Sequence, residues 1–160
     1  MLLPENTENT ENTENIDIKE LLKTYFKEEK IDFEIKCENC QKVLQHTKEI
    51  KISRPPEILI LSLQRYDHAT QKKKECVVTF PPILDMSEFI DKDCGYDKEP
   101  MYNLFAIVNH SGSIDFGHYH SYIKFKGSED FYDFNDSIVT NIGKDIDNFP
   151  YAYALFYIRK

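Results

Sequence analysis

From residue 47 to residue 158 the chain reads as a succession of short strand-like runs, cut by Pro55-Pro56, Pro81-Pro82 and Gly127-Ser128. Proline removes a backbone donor and ends a strand, and Gly-Ser marks a hairpin turn, so these breaks bound short strands. Residues 47–52 alternate in polarity. Residues 57–66 hold Ile58, Leu59, Ile60, Leu61 and Leu63 in a nearly continuous apolar run, the pattern of a buried central strand. Further strands are predicted at 77–80, 102–109, 118–125, 131–134, 138–141 and 151–158. Residues 86–101 read as a surface connection with a helical turn, and 110–117 as a loop. One helix is predicted over 16–27, where Ile18, Leu21, Leu22, Tyr25 and Phe26 recur at helical spacing. Asp17 and Glu20 suit its electropositive start. The expected class is α+β, a mainly antiparallel sheet with few helices.

A chain of 160 residues, 41% hydrophobic and 13% aromatic, can bury one domain's core. That domain is predicted over 16–160. Residues 1–15, with their Glu-Asn-Thr repeat, read as a disordered low-complexity leader. Glu5, Glu8, Glu11 and Glu14 of this leader carry half of the net charge of −8. The remaining imbalance is mild and the basic run Lys72–Lys74 is short, which argues against nucleic acid as a partner. No apolar segment approaches the roughly 18–20 residues that span a bilayer, and no signal-peptide pattern opens the chain. A cytoplasmic or nuclear protein with reduced thiols is expected, away from membranes. Four cysteines at uneven spacing make no disulfide framework.

Two phrases carry the chemistry: Gly117-His118-Tyr119-His120-Ser121-Tyr122 and Phe131-Tyr132-Asp133-Phe134-Asn135-Asp136. His118 opens a predicted strand after a glycine, so its ring can project over a loop. Asn135 follows 17 residues later, a hairpin's length, and its amide oxygen can accept from an imidazole N–H. Asp136 offers a carboxylate for the same task. The plain alternative is a surface histidine and a strand ending in an Asn-Asp-Ser turn. Cys37 and Cys40 have the spacing of two zinc ligands, which is half of a tetrahedral site, or of two thiols in a tight turn. Cys76 follows three lysines that favour a thiolate. Cys94 sits beside Asp91 and Asp93, which disfavour one. Neither precedes a helix whose N-terminus would stabilise sulfur.

These phrases, in their order, resemble the ubiquitin-specific protease family, peptidase family C19, over about Ile16 to Ile158. The matching pieces begin with a helix ending Tyr-Phe-Lys-Glu-Glu-Lys, the Cys37–Cys40 pair and Pro-Pro-Glu-Ile-Leu-Ile-Leu-Ser-Leu-Gln-Arg-Tyr at 55–66. They continue with residues 78–89, 102–122, 131–137 and 152–159. The resemblance implies a papain-like cysteine peptidase that hydrolyses the bond after the C-terminal glycine of ubiquitin. It covers the C-terminal part of the domain, the lower fingers and palm.

By that resemblance His118 is the general base, Asn135 its orienting partner and Asp136 an acidic support. Ser111, Gly112, Gly117 and Tyr119 border the channel for the ubiquitin tail. Cys37 and Cys40 are the second of two zinc-binding pairs, so structural zinc has half a site here and the chemistry needs no cofactor. Ubiquitin or a ubiquitinated protein is the implied partner. The family's Gly-Asn-Thr-Cys-Tyr-like nucleophile box and first cysteine pair do not occur in these residues. The expectation is therefore an isolated chain without activity, completed by a partner that supplies the thumb, or a non-catalytic ubiquitin-binding module, or a truncated relic. Phe116 stands where the family often has glycine, and Phe131 where tryptophan is frequent.

Overall fold

The computed structural model describes residues 15–67, 70–96, 99–113, 116–144 and 151–160. The leader expected over 1–15 lies outside these residues except for Asn15. In chain order the elements are β1 (Ile16–Asp17), α1 (Ile18–Phe26), β2 (Glu29–Lys36), β3 (Val43–Lys48), β4 (Ile58–Ser62), β5 (Tyr66–Asp67) and β6 (Lys72–Lys73). They continue with β7 (Val78–Thr79), β8 (Ile83–Asp85), β9 (Met101–Gly112), β10 (Gly117–Lys124), β11 (Phe131–Asn135), β12 (Ile138–Gly143) and β13 (Ala152–Arg159).

The main sheet runs β12-β11-β10-β9-β13-β4, with β8 paired to the start of β9. All its pairings are antiparallel, as the α+β reading requires. One face is packed. Leu61, Leu84, Tyr102, Leu104, Ile107, Leu155 and Tyr157 meet Ile18, Leu21 and Leu22 of α1 in a single core. Each fully buried aliphatic side chain there contributes about 1.5–3 kcal/mol relative to exposure. The Asp17 carboxylate accepts from the Lys19 N–H at 2.7 Å and caps α1. Two buried tyrosines pin the Pro-Pro corners to this core. The Tyr102 hydroxyl donates to the Pro56 carbonyl at 2.6 Å, and that of Tyr157 to the Pro81 carbonyl at 2.8 Å.

The run at 57–66 departs from expectation. Its strand, β4, is the edge of the sheet rather than a central strand. Leu59 and Leu61 face the core, while Ile58 and Ile60 point the other way and are 48% and 57% exposed. The register sets Ile58 opposite Ile158, Ile60 opposite Phe156, and Asn103 opposite both Ile158 and Ile83. Phe105 meets Phe156 edge to face on that same side. Among the described residues this apolar face has no covering element.

Other boundaries shift. The strand expected at 47–52 is β3, centred earlier, because Ile52 instead makes an isolated bridge to Ile90. The strand β2 is additional to the expected set and pairs with β3 in a separate hairpin. The connection at 86–101 is not purely superficial: its first 3-10 turn and the residues flanking it bury Met86, Phe89 and Ile90. Strand β9 runs through Gly112, so Ser111 and Gly112 are ladder residues rather than loop.

Candidate active site

Strands β10 and β11 bring His118 and Asn135 together. His118 Nε2 lies 2.6 Å from Asn135 Oδ1. The amide oxygen only accepts, so Nε2 carries a proton and, in the neutral ring, Nδ1 is the nitrogen left to accept one. Asp136 stands further out, with its carboxylate 3.9 Å from the same Nε2. It turns the chain at φ 53° in the left-handed region, a conformation aspartate tolerates, and a two-residue turn leads from Asn135 to its ladder partner Ile138. The turn that ends β11 therefore also fixes where Asp136 points. His118 is about half-exposed, with the ring reachable from outside.

A second polar site lies beside it. Arg65, Tyr66, Lys73, His110, Gly117, Tyr119 and Tyr153 line a cavity of about 290 Å³. Adjacent strand residues face opposite ways, so Tyr119 turns from the His118 side towards His110, its ladder partner. Their rings lie 4.4 Å apart, with Tyr153 edge-on to Tyr119 at 5.8 Å. Lys73 Nζ donates to the carbonyls of His110 and Gly112, at 2.8 and 3.0 Å. Burial, and then the Arg65 charge, lower the Lys73 ammonium from its ordinary range. Burial, and then Lys73, lower His110, whose buried Nδ1 has no partner among the described residues. Arg65 itself is 1% exposed. Its guanidinium donates to the carbonyls of Ala152, Lys74 and Cys76 at 2.7, 3.0 and 2.8 Å, tying β13 to the segment after β6.

Of the expected channel residues, Gly117 and Tyr119 line this cavity, and Gly112 joins it through its carbonyl. Ser111 sits on the His118 side, where its hydroxyl lies 3.5 Å from the His118 carbonyl. Residues 114 and 115 of the expected loop lie outside the described residues. Reading the sequence missed His110, Lys73, Arg65 and Tyr153. A signal existed for the first, which lies in the same Asn-His-Ser-Gly phrase as Ser111 and Gly112. Lys73 sits in the middle of the short basic run Lys72–Lys74, where nothing local distinguishes it from its neighbours.

None of the four cysteines hydrogen-bonds His118 among the described residues. The Cys76 carbonyl is held by Arg65 and its side chain packs on the core, while Cys94 ends an exposed 3-10 turn. Cys37 and Cys40 sit in the turn between β2 and β3, where the Cys37 carbonyl accepts from the Gln41 N–H at 2.8 Å. Backbone N–H groups of Cys40 and then Asn39 lower the Cys37 thiol. That suits a thiolate ligand, yet two thiolates fill only half of a tetrahedral zinc site. No cluster of three or more metal-binding side chains occurs among the described residues, and no helix there is long and apolar enough to cross a membrane.

Comparison with known proteins identifies the family and the fold. The family model described as ubiquitin carboxyl-terminal hydrolase matches residues 3–157. Ubiquitin carboxyl-terminal hydrolase 2 of Gallus gallus is 35% identical over 147 residues, covering 89% of this chain and 40% of the relative. Ubiquitin carboxyl-terminal hydrolase 8 of Saccharomyces cerevisiae is 32% identical over 149 residues, covering 86% and 31%. The fold superposes with a TM-score of 0.79 on a chain of the SAGA DUB module of Ubp8, Sgf11, Sus1 and Sgf73 bound to monoubiquitin. That match has 28% identity and covers 91% of this chain and 33% of the other. A related module bound to ubiquitin aldehyde gives 0.78, with 29% identity, 91% and 34%. The chain thus spans between 31% and 40% of these relatives, and its sheet matches part of a papain-like domain. It belongs to the ubiquitin carboxyl-terminal hydrolase family.

Proposed function

We propose that this chain carries the base and orienter of a thiol-dependent ubiquitin hydrolase, while the remainder of the family's domain supplies the nucleophile, on the same polypeptide or another. The observation that carries the reading is the 2.6 Å contact between His118 Nε2 and Asn135 Oδ1. It fixes the tautomer in which Nδ1 accepts a thiol proton. The thiolate then attacks the carbonyl of ubiquitin's last glycine, and the imidazolium returns the proton to the leaving amine. Water, deprotonated by the same nitrogen, hydrolyses the thioester and regenerates the thiol. Asp136 adds a negative charge beside the imidazolium.

The cavity around His110 and Tyr119 takes the ubiquitin tail next to the base, since glycine residues need little width. The uncovered apolar face bearing Phe105, Phe156, Ile158, Ile58 and Ile60 receives the rest of the domain, the thumb, because a sheet face of this composition is ordinarily packed. Cys37 and Cys40 give two zinc ligands and need two more from elsewhere. Zinc has no part in the hydrolysis.

A fluorogenic ubiquitin conjugate tests the assignment. The chain mixed with the N-terminal portion of the chicken relative's domain turns it over, and this chain alone does not. No turnover by the mixture, with both parts shown to associate, would remove the hydrolase reading. The four cysteines' lack of contact with His118 favours one alternative, a ubiquitin-binding module without catalysis. Its signature is ubiquitin binding by calorimetry that survives His118→Ala while the mixture stays inactive.

A further inference from the structure

Strand β10 carries a second histidine two residues after the first, and β11 a carboxylate two residues before Asn135. His120 Nδ1 lies 2.9 Å from Asp133 Oδ1. These side chains are 14% and 23% exposed, against 46% for His118. Residues two apart on a strand share a face. The two pairs therefore stand side by side on the same face of the sheet.

Their register makes the arrangement less obvious than it looks. Ser121 is opposite Phe134 and Tyr122 opposite Asp133. Continued by one residue, this ladder sets His120, not His118, across from Asn135. Directly opposed Cβ atoms are about 4.5–5.5 Å apart and diagonal ones about 7–8 Å. The His118–Asn135 bond is thus a diagonal contact, and the imidazole nearest the Asn135 amide by register belongs to His120. Both histidines reach diagonally towards the start of β11, His118 to Asn135 and His120 to Asp133. What draws His120 aside is Asp133, because a carboxylate is a stronger acceptor for an imidazole N–H than an amide oxygen.

We propose that Asp133 is a positioning residue that holds His120 off Asn135 and so leaves the amide to His118. This rests on the reading of His118 as base and Asn135 as its orienter. Without Asp133, His120 turns to the amide it faces and His118 loses its fixed tautomer. Without His120 as well, nothing competes and the bond to His118 returns. Asp133 then matters only in the presence of His120, which a purely structural carboxylate would not do.

Solution NMR of the full chain reads this through solvent exchange of the His118 Nε2 proton, assigned with His118→Ala. Asn135→Ala gives the rate for a ring without its orienter. Asp133→Ala is expected to speed exchange about fivefold, the loss of one hydrogen bond, to the Asn135→Ala rate. His120→Val combined with Asp133→Ala is expected to return the wild-type rate. Asp133→Asn, which keeps the shape, is expected to move in the same direction by less. If Asp133→Ala leaves the rate unchanged, or the double variant is as fast as the single one, the proposal is overturned and the base reading stands. If Asn135→Ala itself leaves the rate unchanged, the base–orienter reading falls, and the proposal with it.

Discussion

Gly117 lies so close to His110 that a Cβ at residue 117 would fall 2.0 Å from the imidazole Nε2. The residue before His118 is therefore glycine for a steric reason on the opposite face of the strand. Its missing side chain gives the His110 ring room to sit against Tyr119, tilted by 39°. Gly117→Ala should force the His110 ring out and cost about 1–3 kcal/mol of stability, as overpacking does. Denaturant unfolding checks the first effect. Calorimetry with ubiquitin should show weaker binding than wild type.

His110 also makes stability depend on pH. Its folded form is held below the ordinary value of 6.5 by burial and by Lys73. As pH falls, the unfolded chain takes up this proton before the folded one does. The stability tied to neutral His110 is complete above that ordinary value and is lost as pH falls below it towards the folded value. Unfolding free energies measured on both sides of it should drop on the acid side, and His110→Gln should flatten that drop.

Arg65 should be costly to replace. Its buried guanidinium satisfies three backbone carbonyls on two segments distant in sequence. Arg65→Met fills the volume but leaves those acceptors unpaired, at a cost of about 3 kcal/mol. Arg65→Lys cannot reproduce the planar fork and should recover only part of the loss. Guanidinium titrations of both variants give the order directly.

The uncovered sheet face should behave as an interface. Ile60 is 57% exposed at its edge, so Ile60→Lys should change folding stability by less than about 0.5 kcal/mol. The same substitution should weaken association with the N-terminal portion of the domain at least tenfold, the effect of a charge left in a packed contact. Equal affinity of the two forms, measured by sedimentation, would place the interface elsewhere.

Much of this was legible in the residues, for reasons the structure makes plain. Helix α1 shows its buried stripe at Ile18, Leu21 and Leu22, and β10 and β11 show their turn at Gly127, which is left-handed at φ 85°. The 17-residue spacing of His118 and Asn135 translated into a contact because a hairpin converts sequence distance into adjacency. Strand β4 misled because a continuous apolar run implies two covered faces, and among the described residues only the Leu59 and Leu61 side is covered. Strand β2 went unread although Ile31, Phe33 and Ile35 alternate, since Phe33 remains 68% exposed and the hairpin has no buried face to announce it. The His110 cavity depends on a contact between two strands at Gly117, and a local pattern carries no trace of it.

The most direct test is the rate of the reconstituted enzyme on a ubiquitin conjugate with single changes at His118 and Asn135. His118→Ala should lower kcat by about 10⁴-fold or more, with ubiquitin binding retained. Asn135→Ala should lower it by less, because the base remains but loses its fixed tautomer. A His118→Ala form that keeps wild-type kcat would contradict the assignment of the base and with it the whole account.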